Sequence, residues 1–389
     1  MSRLEELIQQ YCPDGVEYKH LKDVLKIKNG KDYKHLDKGL IPVYGSGGIM
    51  TYVDTPMYSK PSVLIPRKGS IDKLYYVDTP FWNVDTVFYT EIDTSKVVEK
   101  YVYYVLQKEH LEKLNTAGGV PSLTQGVLNE VLIPVPPLPV QEEIVRILDN
   151  FAELQAELQA ELQKRLQQYN YYRDKLLTFN DLNGGGYAVS VEWKKLGEIA
   201  TDWYRGAGIK RDEVSEEGIP CIRYGEIHTT YNIWFDECVS HTDENKQPAK
   251  KYADYGDILF AITSEDIPFI GNSVAYIGKE RILVGGDIVV MKHTQNPKYM
   301  SYVLSTSDAV MQKGKGKVKS KVVHTNVPSL KEIVVPIPSL EEQERIATIL
   351  DKFYALTTDI TAGLPAEIEA RRKQYEYYRD ELLTFKQKA

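Results

Sequence analysis

One long helical stretch occurs twice in this chain, and nothing else in the sequence limits its fold as strongly. Ile147-Leu148-Asp149-Asn150-Phe151 returns as Ile349-Leu350-Asp351-Lys352-Phe353, 202 residues later. Tyr171-Tyr172-Arg173-Asp174-Lys175-Leu176-Leu177-Thr178-Phe179 returns, with one change, as Tyr377-Tyr378-Arg379-Asp380-Glu381-Leu382-Leu383-Thr384-Phe385, at a shift of 206. The lead-in repeats as well, Leu128 to Pro136 against Leu330 to Pro338. A match of that length requires that duplication be read before fold.

Both copies have a helical pattern. In the first, Ile144, Ile147, Leu148, Phe151, Leu154, Leu158, Leu162, Leu166, Tyr169, Tyr172 and Leu176 fall at three-and-four spacing, which gathers them on one face. Glu, Gln, Lys and Arg between them are strong helix formers. The spacing predicts a helix from Gln141 to Phe179, bounded by a proline-rich run before it and Asn183-Gly184-Gly185-Gly186 after it. At ~1.5 Å per residue such a rod is ~55 Å long. Neither rod can bury its apolar stripe alone, and a whole domain separates them, so antiparallel pairing is expected. The second rod carries four more residues between its Phe and its Tyr-Tyr pair and contains Gly363-Leu364-Pro365. Pro365 suits a first-turn position, so that rod is expected to be broken or kinked.

The remainder divides into two parallel segments. Residues 1–135 form a first globular part, 136–182 the first rod, 183–337 a second globular part and 338–389 the second rod. The first part opens with a helix, Arg3 to Tyr11, and closes with one, Val97 to Leu114. Between them lie strand-like runs at Ile41–Tyr44, Ser62–Ile65, Leu74–Val77 and Thr86–Tyr89. In the second part Val191 to Ile199 aligns with Val16 to Val24 at a shift of 175, and Ile219 to Gly225 resembles Ile41 to Gly45. Gly256 to Phe260 resembles the strand at Ser62, and a helix is expected from Pro297 to Lys313. The frame is shared while the loop residues differ almost completely. That contrast implies one kind of ligand read with two specificities.

Three isolated cysteines, Cys12, Cys221 and Cys238, lack metal-ligand spacing and point to a reducing, cytoplasmic setting. No long apolar run is present, so no membrane association is expected. A net charge of -7 argues against non-specific coating of nucleic acid but leaves room for local basic surfaces. Twenty-eight tyrosines against nine phenylalanines suit partly wet interfaces.

Over essentially its full length the chain resembles the specificity subunits of type I restriction-modification enzymes. The paired segments Pro134 to Asp149 and Pro336 to Asp351 carry the likeness, together with the two Tyr-Tyr-Arg-Asp endings. Gly45-Ser46-Gly47-Gly48-Ile49 with Arg67-Lys68-Gly69 is also similar to one class of target-recognition domain in that family. The resemblance implies an α+β, pseudo-two-fold protein with two target-recognition domains and a helical pair, and no catalysis of its own. Each domain would read one half of a split DNA sequence, and the helices would fix the gap. Two methyltransferase subunits would dock near the helices and motor-nuclease subunits would join. S-adenosylmethionine, ATP and Mg are expected in those partners, with no cofactor or metal in this chain.

Candidate contacts to double-stranded DNA in the first part are Lys28, Lys31, Lys34, Tyr44, Ser46, Gly47, Arg67, Lys68 and Ser70. Those in the second are Arg205, Arg211, Arg223, Tyr224, Lys315, Lys317, Lys319 and Lys321, the last four within a lysine run that begins at Lys313. Arginine suits bidentate contact with guanine, whereas lysine mainly supplies phosphate affinity. Taken singly, each lysine or arginine is better explained as a solvated surface charge, whereas the lysine cluster at 313–321 as a group favours DNA. Tyr171, Tyr172, Arg173, Tyr377, Tyr378 and Arg379 are candidates for docking methyltransferase subunits, and a helix-helix core is the competing role for these tyrosines. Pro13-Asp14 followed by Glu17-Tyr18-Lys19 mimics a nuclease signature without the intervening strand pair, and no methyltransferase Pro-Pro-Tyr element or Walker lysine is present. A protein-recruiting scaffold with peptide- or sugar-binding domains is the alternative from another class.

Overall fold

The computed structural model describes residues 2–115, 121–179, 190–247, 249–315, 322–358 and 363–388. The chain divides into two compact units, one comprising Met1–Gln159 with Glu367–Ala389 and the other Ala160–Ala366.

In the first unit Leu25–Asn29, Val87–Ile92, Ser62–Pro66 and Tyr75–Val77 form an antiparallel sheet in that order. Ser62–Pro66 is buried at every position, which is why Val63, Leu64 and Ile65 run on as apolar residues without alternation, while the Ser62 hydroxyl is satisfied by the Thr90 carbonyl. A second sheet orders Gly48–Val53, Lys38–Gly45 and Trp82–Asn83, the last pairing parallel. The helix Glu99–Lys108 places Tyr101, Val102, Val105 and Leu106 in the core with Ile144 and Leu148. It stops short of Leu114 because His110 takes a left-handed conformation at φ 50°, and a separate 3-10 turn spans Leu111–Leu114.

The second unit repeats this frame. Ala200–Arg205, Ile288–His293, Ile258–Ala261, Ser273–Tyr276 and Trp234–Phe235 make one sheet. Ile219–Ile222 lies in the other, parallel to Ile282–Val284, as Lys38–Gly45 lies parallel to Trp82–Asn83. The aligned runs of the sequence are matching two-stranded ladders: Glu17 faces Val135 in one unit and Glu192 faces Ile337 in the other.

The first rod is one helix of 41 residues, Leu138–Thr178. It starts three residues before Gln141 because Pro139 sits in its first turn, where a missing N–H costs nothing. It ends as Phe179 turns left-handed at φ 51°. In the first unit Phe151 stacks on Tyr378 of the helix Gly363–Leu382, with ring centroids 5.5 Å apart. In the second, Tyr169 meets Tyr354 of the helix Leu340–Thr358 at 6.1 Å. The second rod is thus two helices, Leu340–Thr358 and Gly363–Leu382, with Pro365 in the first turn of the latter. Residues 359–362 lie outside the described residues.

The repeated letters of the rods are the ones that fasten each helix to its own unit. Gln141 accepts from Val98 N–H and donates to the Pro136 carbonyl, and Gln343 does the same with Asn296 and Pro338. Asp149 accepts from Tyr104 at 2.5 Å and pairs with Lys100 at 2.9 Å. Asp351 accepts from Tyr302 at 2.6 Å and pairs with Lys298 at 2.6 Å. Tyr101 and Tyr299 each donate to the carbonyl of the proline that precedes the rod, Pro134 and Pro336.

The expected helix from Pro297 to Lys313 is two helices, Pro297–Leu304 and Ser307–Gly314, because Thr306 caps the second through its side chain. This also corrects the lysine run. Lys313 is buried, donating to the Leu304 carbonyl at 2.8 Å and to Ser273 Oγ at 3.2 Å, so it is a structural cap and not a DNA contact. Burial holds its amine down at about 7 from the ordinary 10.5. Between those two values the unfolded chain holds a proton that the folded chain has released, so stability is expected to rise with pH across that window. Lys313→Met should flatten the rise, which urea melts between pH 6 and 10 will measure.

Candidate nucleic-acid interface

Arg205, Arg211, Arg223 and Tyr224, scattered over twenty residues of sequence, line one cleft of about 1010 Å³ in the second unit. Arg205 ends the strand Ala200–Arg205, Arg211 starts a 3-10 turn, and Arg223 precedes the short helix Tyr224–Thr229. Each locked arginine has an acid beside it. Arg205 Nη2 meets Asp287 Oδ1 at 2.6 Å while its Nε donates to the Gly286 carbonyl. Arg223 Nε and Nη2 reach Glu226 Oε1 at 3.3 and 3.2 Å. Glu226 is itself buried and accepts from Ser240 Oγ at 2.6 Å. Arg211 is exposed and makes no ion pair among the described residues.

Glycine lets the cleft floor close. A Cβ on Gly206 would lie 2.2 Å from the Gly285 carbonyl, and one on Gly30 of the first unit 2.1 Å from the Val84 carbonyl. Gly206 donates to Ile288 and Ala207 to Val284, just as Gly30 donates to Val87 and Lys31 to Asn83. The same frame also has Gly285 donating to Ile222 and Val84 to Tyr44. Equivalent places in the two units therefore hold Arg205 and Asn29, Ala207 and Lys31, Arg223 and Gly45, Tyr224 and Ser46.

In the first unit the turn at Ser46-Gly47 and the loop at Arg67 to Ser70 come together. Tyr75 donates to the Ser46 carbonyl at 3.1 Å and stands 5.8 Å from Tyr44, and Gly69 packs beside Ser46 Oγ. Lys31, Lys34 and Lys68 are exposed, and Ser70 is half-buried. Lys28 is half-exposed beside Glu91 at 3.7 Å. Arg67 is half-buried over the Phe88 ring at 5.0 Å, with its Nε buried and unpartnered among the described residues. Lys315 follows the helix Ser307–Gly314, while Lys317, Lys319 and Lys321 lie outside the described residues.

The docking candidates separate by exposure. Tyr171 and Tyr377 are 61% and 62% exposed, each set edge-on against its neighbour, Tyr172 or Tyr378. Arg173 and Arg379 are buried, bound to Asp174 and Asp380 and set over Tyr169 and Tyr375. Both arginines are thus enclosed by neighbours on their own helix and stand back from the exposed tyrosine pairs. Tyr169 likewise belongs to the core.

Sequence reasoning missed Asp287, Glu226 and the glycines at 206, 285 and 286. The doublet Gly285-Gly286 beside an acid was the available signal. Asp14 sits in a turn and Glu17 pairs with Lys19 in the following strand. No cluster of three metal-ligating side chains occurs among the described residues. No helix among them is long and apolar enough to cross a membrane.

The structure is thus one frame built twice, with unlike residues at equivalent surface positions. A family model for the type I restriction modification DNA specificity domain matches residues 13–168 and 189–370. The chain is 33% identical over 319 residues to the EcoR124I/EcoR124II specificity subunit of Escherichia coli, covering 76% of this chain and 73% of that one. It is 31% identical over 404 residues to a putative type I restriction enzyme specificity subunit of Haemophilus influenzae, S.HindORF215P, covering 98% of each. Among solved structures it is similar in fold to the S subunit of a type I system from M. genitalium, with TM-score 0.52, 16% identity and coverage of 95% and 96%. It also matches a chain from a study of complex assembly and conformational transition of the type I R-M system, with TM-score 0.61, 13% identity and coverage of 95% and 98%. This chain belongs to the DNA specificity subunits of type I restriction-modification systems.

Proposed function

We propose that each unit reads one half of a bipartite duplex target and that the long helix Leu138–Thr178 sets the unread gap between the halves. The observation that carries this reading is the equivalence of the two surfaces: Arg205, Arg223 and Tyr224 stand where Asn29, Gly45 and Ser46 stand in the other unit. One backbone frame offering two side-chain sets suits two different runs of base edges, because donors and acceptors in the major groove are distinguishable base by base. A stiff helix of 41 residues spans ~60 Å, enough to serve sites a helical turn or more apart.

Two methyltransferase subunits dock on the exposed tyrosine pairs, and motor-nuclease subunits complete the restriction enzyme. Those partners carry S-adenosylmethionine, ATP and Mg, while this chain supplies the address. Exchanging residues 1–135 for another such domain is expected to change one half of the methylated motif and leave the other half and the gap intact. Methylome sequencing of cells carrying the chimera with its partners measures this, and a change in both halves would refute the modular assignment. DNA binding by the assembled complex should also weaken steeply with salt.

A further inference from the structure

We propose that the half-site read by the second unit contains guanine, taken by the arginines of the cleft at Arg205, Arg211 and Arg223. This deepens the proposed function and rests on it.

The chemistry follows from which donors are already used. Arg223 gives Nε and Nη2 to the buried carboxylate of Glu226, and Arg205 gives Nε to the Gly286 carbonyl and Nη2 to Asp287. In both, the Nε side of the guanidinium is engaged by the protein. The opposite end, Nη1 with the remaining hydrogen of Nη2, keeps two nearly parallel N–H groups. Guanine is the base whose major-groove edge presents two acceptors, O6 and N7, matched to such a pair. Because the fork is fixed before the ligand arrives, little side-chain freedom remains to be lost. Arg223 is held on two sides, its own backbone N–H also donating to Glu226 at 3.0 Å.

The acids decide between base and backbone. A phosphate clamp gathers unopposed positive charge, whereas here Asp287 and Glu226 line the same cleft as the three arginines. Two carboxylates repel a phosphate but suit a G·C pair, where cytosine N4 is a donor. Arg211, exposed and unpaired among the described residues, supplies a third donor set at the rim. The first unit has Asn29 and Gly45 at the places of Arg205 and Arg223, so this arginine set belongs to the second unit.

The test is a methylome map of cells carrying the full chain with its partner subunits, beside maps for Arg211→Gln and Arg205→Gln. Exchange of residues 183–337 for another domain assigns the half that the second unit reads. That half is expected to contain at least one G·C pair. Each arginine variant should relax one such position, while the other half stays unchanged. On purified complexes, replacing that G·C pair by A·T should weaken wild-type binding about tenfold to a hundredfold and the variant far less. Thermal melts confirm that each variant is folded. A second-unit half without a G·C pair overturns the inference, as does uniform weakening at every position by a folded variant. If no split motif depends on the chain at all, the proposed function itself fails; if a split motif depends on it but lacks guanine there, only this inference does.

Discussion

Asp351→Ala is expected to destabilise the second unit by about 2–4 kcal/mol, more than Asp149→Ala destabilises the first. Three donors converge on Asp351: Tyr302 at 2.6 Å, Lys298 at 2.6 Å and Trp234 Nε1 at 3.1 Å. Removing the carboxylate strands a phenol in a fully buried residue and an ammonium that also lies 4.0 Å over the Trp234 ring. Among the described residues Asp149 takes Tyr104 and Lys100 and no indole, so the loss there should be smaller. The tyrosine hydroxyls answer in kind, since burial and the adjacent carboxylate push both Tyr104 and Tyr302 well above the ordinary phenol range. Denaturant melts of the two single variants, with Tyr302→Phe as a milder control, provide the comparison. Equal effects of the two aspartates would mean that the indole contributes nothing.

The second large effect concerns assembly. Tyr171→Ala with Tyr377→Ala should leave the fold within about 0.5 kcal/mol of wild type, because both rings are mostly exposed. Association with methyltransferase subunits should nonetheless fall about a hundredfold or more, since exposed aromatic pairs make strong interface anchors. Beside Tyr171 lies a hollow of about 450 Å³ lined by Asn170, Asp174 and Ser307, room for a partner side chain. Titration of partner subunits onto wild-type and double-variant chain will decide. Undiminished association would move the docking surface elsewhere. Arg173→Ala and Arg379→Ala should behave oppositely and act on stability, being buried and already paired.

Most of the frame was legible because duplication doubles each signal. Ile-Leu-Asp and the Val-Pro lead-in repeat because each fixes its rod to its own unit through bonds that are the same twice, whereas the Arg-Asp of Tyr-Tyr-Arg-Asp repeats a pair made within the helix itself. What could not be read was which side of a surface each charge takes. Lys313 has the letters of a basic loop, yet its amine closes the last carbonyl of the helix before it. Arg173 and Arg379 look like interface residues, yet their i, i+1 aspartates and the rings of Tyr169 and Tyr375 hold them inside. Conversely, Arg205, Arg211 and Arg223 converge through the pairing of Ala200–Arg205 with Ile288–His293 and of Ile219–Ile222 with Ile282–Val284, long-range contacts that no local pattern reports. Of the acids that fix Arg205 and Arg223, Glu226 carries no signature and Asp287 only the glycine doublet before it.

The most direct test of the central claim is a genome-wide map of methylated adenines in cells with and without this chain, the partner subunits being present in both. A split, asymmetric motif is expected to appear only when the chain is present. Methylation at the same sites without the chain, or at one continuous motif with it, would contradict the claim that two unlike units on a shared spacer supply the address.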